Sequence, residues 1–220
     1  MNGDRSYPAE ISGPFPTPPH RFIDGIGREI VVRVADDDRE ALVEMYKAFD
    51  SEDRAQGIPP VGEESIRRWL ERVFEPDCLN TIAWHDGDAV GHAMLVPDEE
   101  GASELAIFVL GSHQSAGIGT ELLQTLLGYG KDSGIDRVWL TVERWNEPAI
   151  GLYQKVGFEI RNTESFELEM AIRIADSSGD DSASESADAG ADSASESADA
   201  GADSASDADD DAEREPDDEP

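Results

Sequence analysis

The sequence predicts an α/β (α+β) domain with a mixed central sheet of six to seven strands and about four helices. Apolar runs of strand length and stretches of helical periodicity follow one another in the order β α α β β β α β α β β over residues 28–175. That span of about 150 residues is the size of one domain with one core. Because some neighbouring strands are joined by hairpins and others by helices, the sheet is expected to be mixed.

The first half of this domain is predicted to hold three strands and two helices. REIVVRVA (28–35) has the apolar run of a strand, and the three aspartates behind it favour a helix N-terminus because they complement its dipole. EESIRRWLERVF (63–74) places its apolar residues on one helical face. Asp86-Gly87, inside TIAWHDGDAVGHAMLV (81–96), is typical of a hairpin turn between two strands.

The second half continues as an alternation of strands and helices. Asn146 is placed to cap the last helix, and Pro148 falls in the first turn of that helix. The predicted elements are a strand over 104–110, a helix over 118–130, a strand over 136–143, a helix within NEPAIGLYQKV (146–156) and a final strand over 166–174.

Both ends of the chain lack the patterns of a folded domain. Residues 1–27 are rich in Pro and Gly and are expected to form an extended, largely disordered arm, with Phe15 and Phe22 as candidates to dock on the body. Residues 176–220 repeat DSASESADAGA and contain no large apolar side chain. Since nothing there can be buried, we expect a disordered acidic tail, with a docking segment for a basic partner as the alternative.

The charge of the chain excludes some partners and indicates a habitat. Asp and Glu number 50 against 17 Lys and Arg, and the net charge of −33 argues against nucleic-acid binding. Scarce lysine and abundant carboxylates are typical of a halophilic, haloarchaeal-type protein, because a Debye length of about 3 Å at molar salt screens self-repulsion. The alternative is that the acidic body attracts cationic substrates. One cysteine and no long apolar run favour a cytoplasmic protein without a membrane segment.

The stretch HQSAGIGTELL (113–123) joins a strand to a helix through two glycines. Such turns bind phosphate, because main-chain N–H groups and the helix dipole both face the ligand. A P-loop would need a lysine after Gly119, and a dinucleotide fingerprint would need a third glycine at Leu122, so both are excluded. The remaining pattern, Gln114-x-x-Gly117-x-Gly119, resembles the pyrophosphate loop of the GNAT superfamily of N-acetyltransferases.

A second run of residues resembles the other signature of that superfamily. TVERWNEPAIGLYQKVGFE matches the pattern Asn-x-x-Ala-x-x-Leu-Tyr-x-x-x-Gly-Phe and follows the loop in the family's order. The resemblance covers residues 29–172 and implies the GNAT fold, with a V-shaped splay between the strands at 104–110 and 137–142. The matching residues are Asn146, Ala149, Leu152, Tyr153, Gly157 and Phe158.

The resemblance implies acetyl-CoA as the acyl donor. Main-chain groups of Ile107, Phe108 and Val109 are then expected to pair with the pantetheine arm, while their side chains serve as ordinary core residues. No metal is expected, because His85 and His92 have no third ligand at suitable spacing. The other residues implied to contact the cofactor are Gln114, Ser115, Ala116, Gly117, Ile118, Gly119, Thr120 and Asn146.

Acetyl transfer to an amine requires a neutral nucleophile. A lysine-like amine has a pKa of about 10.4, so its deprotonation at pH 7 costs about 4.6 kcal/mol. By resemblance, Glu104 stands where members of the family often carry the general base, with Glu143 and Glu147 as alternatives. Tyr153 matches the family's usual general acid, which protonates the departing thiolate. A solvated carboxylate and a packed aromatic ring are the alternative roles of Glu104 and Tyr153.

The identity of the acceptor is left open by the sequence. The segments expected to shape its site are 49–65 and 161–167. TVERWN is similar to the L-E-V-R-x-x-N run of enzymes that acetylate ribosomal-protein N-termini, but Thr141 replaces their glutamate. Three hypotheses therefore stand: an acetyltransferase for a protein or peptide amine, an acetyltransferase for a small-molecule amine, and a non-catalytic acyl-CoA-binding module. Each would be a monomer or a homodimer.

Overall fold

The computed structural model describes residues 5–49, 58–162 and 166–176, which form an open mixed sheet of eight strands with four α-helices. From residue 177 onward the predicted acidic tail lies outside the described residues. None of the helices in this described part has the length and apolar character needed to cross a bilayer. The strands are β1 (His20–Ile23), β2 (Glu29–Val34), β3 (Leu79–His85), β4 (Asp88–Pro97), β5 (Ser103–Val109), β6 (Arg137–Glu143), β7 (Glu159–Asn162) and β8 (Glu167–Arg173). The helices are α1 (Arg39–Lys47), α2 (Glu63–Val73), α3 (Ile118–Asp132) and α4 (Glu147–Val156), with a 3-10 turn at Gly111–His113.

The strands lie in the order β1-β2-β3-β4-β5-β6-β8-β7 across the sheet. β1 to β5 form one antiparallel run, and β6, β8 and β7 form a second. The two runs meet where β5 and β6 pair in parallel, with α3 as the crossover between them. The predicted fold class is confirmed, and β1 is a strand beyond those predicted.

Local turn chemistry sets several of these boundaries. Asp86 and Gly87 have φ angles of 50° and 95°, the left-handed values of the hairpin turn that joins β3 to β4. The Asn146 side chain accepts a hydrogen bond from the Ala149 N–H at 3.2 Å and begins α4. Gly157 ends that helix with a φ of 116°. The predicted hairpin turn and the predicted helix cap are both confirmed.

Each face of the sheet carries its own apolar core. α3 and α4 pack on one face against aliphatic side chains such as Leu105, Leu126 and Leu140, and we call this the α3/α4 face. α1 and α2 cover the other face, the α1/α2 face, with aromatic side chains that include Tyr46 and Trp69. Both faces are apolar because helices cover both, and successive residues of β5 therefore alternate between the two cores.

Residues 5–27 differ from the prediction of an extended, disordered arm. β1 forms a ladder with β2 and supplies hydrogen-bond partners to a sheet edge that would otherwise be open. Phe15 and Phe22 pack against the α3/α4 core, as predicted. The carbonyl group of Pro16 approaches α3 so closely that a Cβ atom at Gly128 would lie 2.1 Å from its oxygen. Four residues of strand preceded by two prolines carry too little periodicity to be found from sequence.

Candidate active site

The seam between β5 and β6 opens along its length. Among the described residues, the two strands pair only at Ser103–Val138 and Glu104–Trp139. Beyond those two pairs, β5 stays paired to β4 as far as Val109, and β6 stays paired to β8 to its end. Over most of its length, the edge of β5 that faces β6 therefore has no pairing with β6. This opening is the predicted V-shaped splay.

The loop that follows the open end of β5 presents a row of main-chain N–H groups. Ser115 and Gly117 have left-handed φ angles of 58° and 91°, which turn the chain sharply into α3 at Ile118. Within the described parts of the chain, the five N–H groups of residues 115–119 donate no hydrogen bond. Together with the positive end of the dipole of α3, these groups suit an anion such as a diphosphate.

Three other residues of the predicted phosphate loop have structural roles. The Gln114 side chain donates a hydrogen bond to the Val109 carbonyl oxygen at 3.0 Å and ties the loop to the end of β5. The Thr120 N–H donates within the first turn of α3. A Cβ atom at Gly119 would lie 2.9 Å from Cδ1 of Leu152, so the absence of a side chain there lets α3 approach α4. Glycine at 119 is thus favoured by close helix packing, in addition to any ligand.

The turn between β1 and β2 supports this loop from the side. The Gly25 N–H donates to the Ala116 carbonyl oxygen at 2.8 Å, and Nη1 of Arg28 donates to the Ser112 carbonyl oxygen at 3.1 Å. Nε of Arg28 lies 2.6 Å from the buried carboxylate of Asp24. Burial opposes ionisation of Asp24, but hydrogen bonds from Arg28 outweigh it and lower the pKa of Asp24 to about 2. Sequence reasoning missed Arg28, because its contact with the loop spans 84 positions.

Tyr153 lies on α4 with its ring against the α3/α4 core, 5.8 Å from the ring of Phe158. Its hydroxyl group has no hydrogen-bond partner among the described residues. Burial raises the pKa of Tyr153 to about 12, so the hydroxyl stays protonated at neutral pH. Asn146, also predicted to contact the cofactor, uses its side-chain oxygen to cap α4.

Glu104 lies where the seam opens, on the face of the sheet opposite to Tyr153. It shares a strand face with Phe108, which packs on the α1/α2 core. The side chain reaches solvent, yet partial burial of the carboxylate raises the pKa of Glu104; the charge of Arg5 works against this shift and that of Asp98 adds to it. The carboxylate is thus a stronger proton acceptor than a freely solvated glutamate.

Glu143 and Glu147, the two alternative candidates for the general base, lie away from the point where β5 and β6 separate. Glu143 ends β6, four residues beyond Trp139, which is about 13 Å along the strand from the closed end of the seam. Glu147 begins α4 and complements the dipole of that helix. Of the three carboxylates, Glu104 is the one at the point where the two strands part.

Arg5 lies across the closed end of the seam. Its guanidinium carbon is 3.5 Å from the centre of the Trp139 ring, and Trp139 is the cross-strand neighbour of Glu104. Its nitrogens lie 3.2 Å from carboxylate oxygens of both Asp98 and Glu169. No local pattern could have found this contact, because Arg5 belongs to the segment that the sequence places outside the domain.

The histidines do not form the pair that the sequence suggested. Nε2 of His113 lies 3.3 Å from Nδ1 of His85, next to the loop. His92 is buried instead, with Nδ1 2.6 Å from the Tyr46 hydroxyl and Nε2 3.0 Å from Oδ1 of Asn80, and burial lowers its pKa to about 3. In the parts of the chain that the structure describes, no group of three or more His, Cys, Asp or Glu side chains is arranged to hold a metal ion.

Comparison with known proteins agrees with this geometry. The profile of the acetyltransferase (GNAT) family matches residues 40–158. The chain therefore belongs to the GNAT family and is an acetyl-CoA-dependent acyltransferase.

Several relatives and solved structures are similar to this chain in sequence or in fold. The chain is 34% identical over 105 residues to an uncharacterized N-acetyltransferase of Mycobacterium tuberculosis, covering 47% of this chain and 67% of the relative. It is 30% identical over 142 residues to the L-amino acid N-acetyltransferase AaaT of Escherichia coli, covering 61% and 86% of the two chains. The fold is similar to that of YncA, a putative acetyltransferase of Salmonella typhimurium with its cofactor acetyl-CoA, with a TM-score of 0.57, 19% identity and coverage of 70% and 99%.

Proposed function

We propose that this protein is an N-acetyltransferase that moves an acetyl group from acetyl-CoA to a primary amine by direct attack. The observation that carries the proposal is the continuity of two features: the seam opens between β5 and β6, and the open end of β5 leads into five unbonded main-chain N–H groups. Acetyl-CoA contains a diphosphate joined to an extended pantetheine arm, so it needs an anion site next to an open strand edge. Acetyl-CoA supplies the acetyl group as an activated thioester.

The donor side of the proposed site uses the main chain. The amides of residues 115–119 would hold the diphosphate, and Arg28, whose charge is paired with Asp24, supports the loop through the Ser112 carbonyl. The open edge of β5 would pair with the pantetheine arm through the main-chain groups of Ile107 and the N–H of Val109, because β6 does not pair with β5 there. The Val109 carbonyl accepts from Gln114, and the main-chain groups of Phe108 face β4. Gln114 positions the loop through Val109.

Glu104 is proposed as the general base that accepts the proton of the amine, directly or through water. Glu104 lies where the two strands separate. Its pKa is raised, which brings it closer to the pKa of the ammonium group whose proton it would accept. Tyr153 is proposed as the general acid. Its hydroxyl is protonated at neutral pH and has no partner in the described residues, so it is free to donate a proton to the departing thiolate.

The acceptor hypotheses differ in how they are supported. A protein or peptide amine is favoured by the likeness to N-alpha-acetyltransferase 50 of Danio rerio, 34% identical over 102 residues. A small-molecule amine is favoured by the likeness to AaaT. A free Tyr153 hydroxyl and a well-placed Glu104 disfavour a non-catalytic acyl-CoA-binding module. The net charge of −33 supports a protein of a salt-rich cell. A cytoplasmic location and a monomeric or homodimeric state stay predictions from the sequence.

Release of free thiol from acetyl-CoA, measured in molar potassium chloride with a panel of small amines and N-terminal peptides, tests the proposal. We expect at least one amine to give thiol and acetylated amine in equal amounts. Calorimetry with acetyl-CoA accompanies the assay. Binding of acetyl-CoA without turnover of any amine would establish the binding-module alternative, and absence of binding would remove the site altogether.

A further inference from the structure

A cavity of about 480 Å³ lies on the α1/α2 face, between α2 and the end of β4. Its walls are apolar and include the buried side chains of Trp69 and Val73. Arg68 and Arg72, one turn apart on α2, stand at its exposed rim. The volume falls within the range of about 300–1,000 Å³ that small-molecule sites occupy.

The cavity adjoins the proposed general base. Val96, which lines the cavity, is the direct cross-strand partner of Glu104. Directly opposed residues of antiparallel strands project to the same face, with Cβ atoms about 5 Å apart. Trp69, on another wall, contacts the ring of Phe108, and Phe108 shares a strand face with Glu104. The wall that Val96 contributes to the cavity is thus one cross-strand neighbour away from Glu104, which is not itself a lining residue.

The positive charge at the rim is unusual for this chain. Acidic residues outnumber basic ones 50 to 17, yet Arg72 forms no ion pair with any residue that the structure describes. Arg68 is bound to Glu64 alone, at 2.9 Å. Arg67, on the same helix, is instead held between Glu40 and Glu63, at 2.9 and 2.8 Å. Arg72 therefore keeps its guanidinium available for an anionic ligand.

Given the proposed function, on which this inference rests, we propose that the cavity receives the acceptor and that the acceptor is a free α-amino acid with an apolar side chain. Its carboxylate binds Arg72 and Arg68, its side chain contacts the apolar wall, and its amine lies beside Glu104. A peptide is disfavoured, because its first residue has an amide in place of the carboxylate. A polyamine is disfavoured, because two arginines would repel its second charge.

The chemical step balances with the groups already named. A bond forms between the amine nitrogen and the acetyl carbonyl carbon, and the bond between that carbon and sulfur breaks. Glu104 takes the proton that the ammonium group must lose before attack and passes it to solvent, and the nitrogen loses a second proton to solvent as the amide forms. Tyr153 gives a proton to the thiolate and regains one from solvent, so one proton is released in each turnover. The carboxylate of the amino acid takes no part in bond changes, so Arg72 is a specificity-determining residue and acts through substrate position.

The test compares L-leucine with L-leucinamide, which keeps the amine and side chain but lacks the carboxylate. Thiol release is measured in molar potassium chloride, where a direct ion pair persists while long-range attraction is screened. We expect kcat/KM for L-leucine to exceed that for L-leucinamide by at least tenfold. In Arg72→Gln the ratio is expected to fall by about tenfold, mainly through the KM for L-leucine, with the acetyl-CoA Kd unchanged.

Arg67→Gln is the matched control, because it removes a cation from the same helix that is already committed to two glutamates. The ratio of L-leucine to L-leucinamide is expected to stay at its wild-type value in this variant. Turnover of L-leucinamide or of a leucine-initiated peptide as fast as L-leucine would overturn the inference and leave the acetyltransferase in place. Absence of turnover with every amine, while acetyl-CoA binds, would overturn both.

Discussion

The two faces of the sheet differ in chemistry, and the difference divides the proposed reaction between them. The α3/α4 face has an aliphatic core, and it carries Tyr153 beside the helix whose N-terminus is the proposed phosphate site. The α1/α2 face has an aromatic core with a buried polar network, and it carries Glu104 and the cavity. Because β5 and β6 separate after two pairs, the gap between them connects the two faces of the sheet.

This division means that donor and acceptor are expected to approach from opposite sides of one sheet. Changes on the α3/α4 face should then affect acetyl-CoA with every acceptor, whereas changes on the α1/α2 face should affect the amine and its proton. Variants that respect or violate this rule are the sharpest tests of the assignment.

The largest effect is expected at the loop on the donor side. Gly117→Asp places a carboxylate beside the five free amides, and two charges 4 Å apart repel by about 4 kcal/mol at the surface of a protein. Acetyl-CoA affinity should fall about 1,000-fold in calorimetry. Gly117→Asn is the control, because it imposes the same left-handed strain at a φ of 91° and caps the helix equally well without the charge. Equal losses in the two variants would contradict a bound diphosphate.

Next in size is the removal of the proposed base. Glu104→Gln keeps the shape and removes the proton acceptor, so kcat should fall about 100-fold while the acetyl-CoA Kd is unchanged. In the wild type the rate should rise with pH through the raised pKa of Glu104, because the carboxylate must be ionised to act. That rise should be absent from the pH profile of the variant. A profile identical to that of the wild type would assign the base to another residue.

A smaller loss is expected at the proposed acid. Tyr153→Phe removes one hydroxyl and leaves the ring packed against Phe158, so kcat should fall about tenfold with unchanged acetyl-CoA binding. The loss should be the same for every acceptor, since the proton goes to the donor's sulfur. Rates equal to those of the wild type would exclude Tyr153 from the mechanism.

The smallest effect concerns stability, and it compares the two cores directly. The pKa of His92 is about 3 in the folded protein, below its value of about 6.5 in an unfolded chain. Between these values the unfolded state binds the extra proton, so the contribution of His92 is complete above about pH 6.5 and is lost progressively toward pH 3. The slope is at most about 1.4 kcal/mol per pH unit.

Urea unfolding at several pH values in molar salt measures this slope. His92→Gln should flatten it, although it lowers stability at all pH values because the buried hydrogen bond between the Tyr46 hydroxyl and Nδ1 of His92 is lost. The comparison is therefore between slopes and not between absolute stabilities. Among the described residues, no histidine belongs to the aliphatic α3/α4 core, and an unchanged slope in the variant would assign the acid sensitivity to another group, such as the buried Asp24.

Local sequence patterns predicted most of the fold. Periodicity located the four helices, Asp86-Gly87 identified a hairpin, and Asn146 marked a helix cap, since each of these signals acts over a few neighbouring residues. β1 escaped prediction because its stability comes from β2 and not from its own four residues. The loop glycines were found from a motif.

The rest of the candidate site could not be read from the sequence, because it depends on contacts between distant positions. Arg28 meets the loop across 84 positions, and Arg5 meets Asp98 across 93. The cavity joins α2 to β4, so neither segment alone indicates it. These contacts follow from the sheet order, which brings the segments together after the elements have formed.

Two rungs of hydrogen bonds hold the halves of the sheet together in the described chain, and this sets the mechanical character of the cleft. The two halves of the sheet are joined at Ser103 and Glu104 and diverge from there. Widening the gap breaks no further strand pairing, and Ile107, Val109 and Leu152 are partly buried side chains packed against the α3/α4 core. If acetyl-CoA binds in this gap, as proposed, we expect the length of acyl group accepted to depend on the volume of such side chains, which substitution can change without altering the strand pairing.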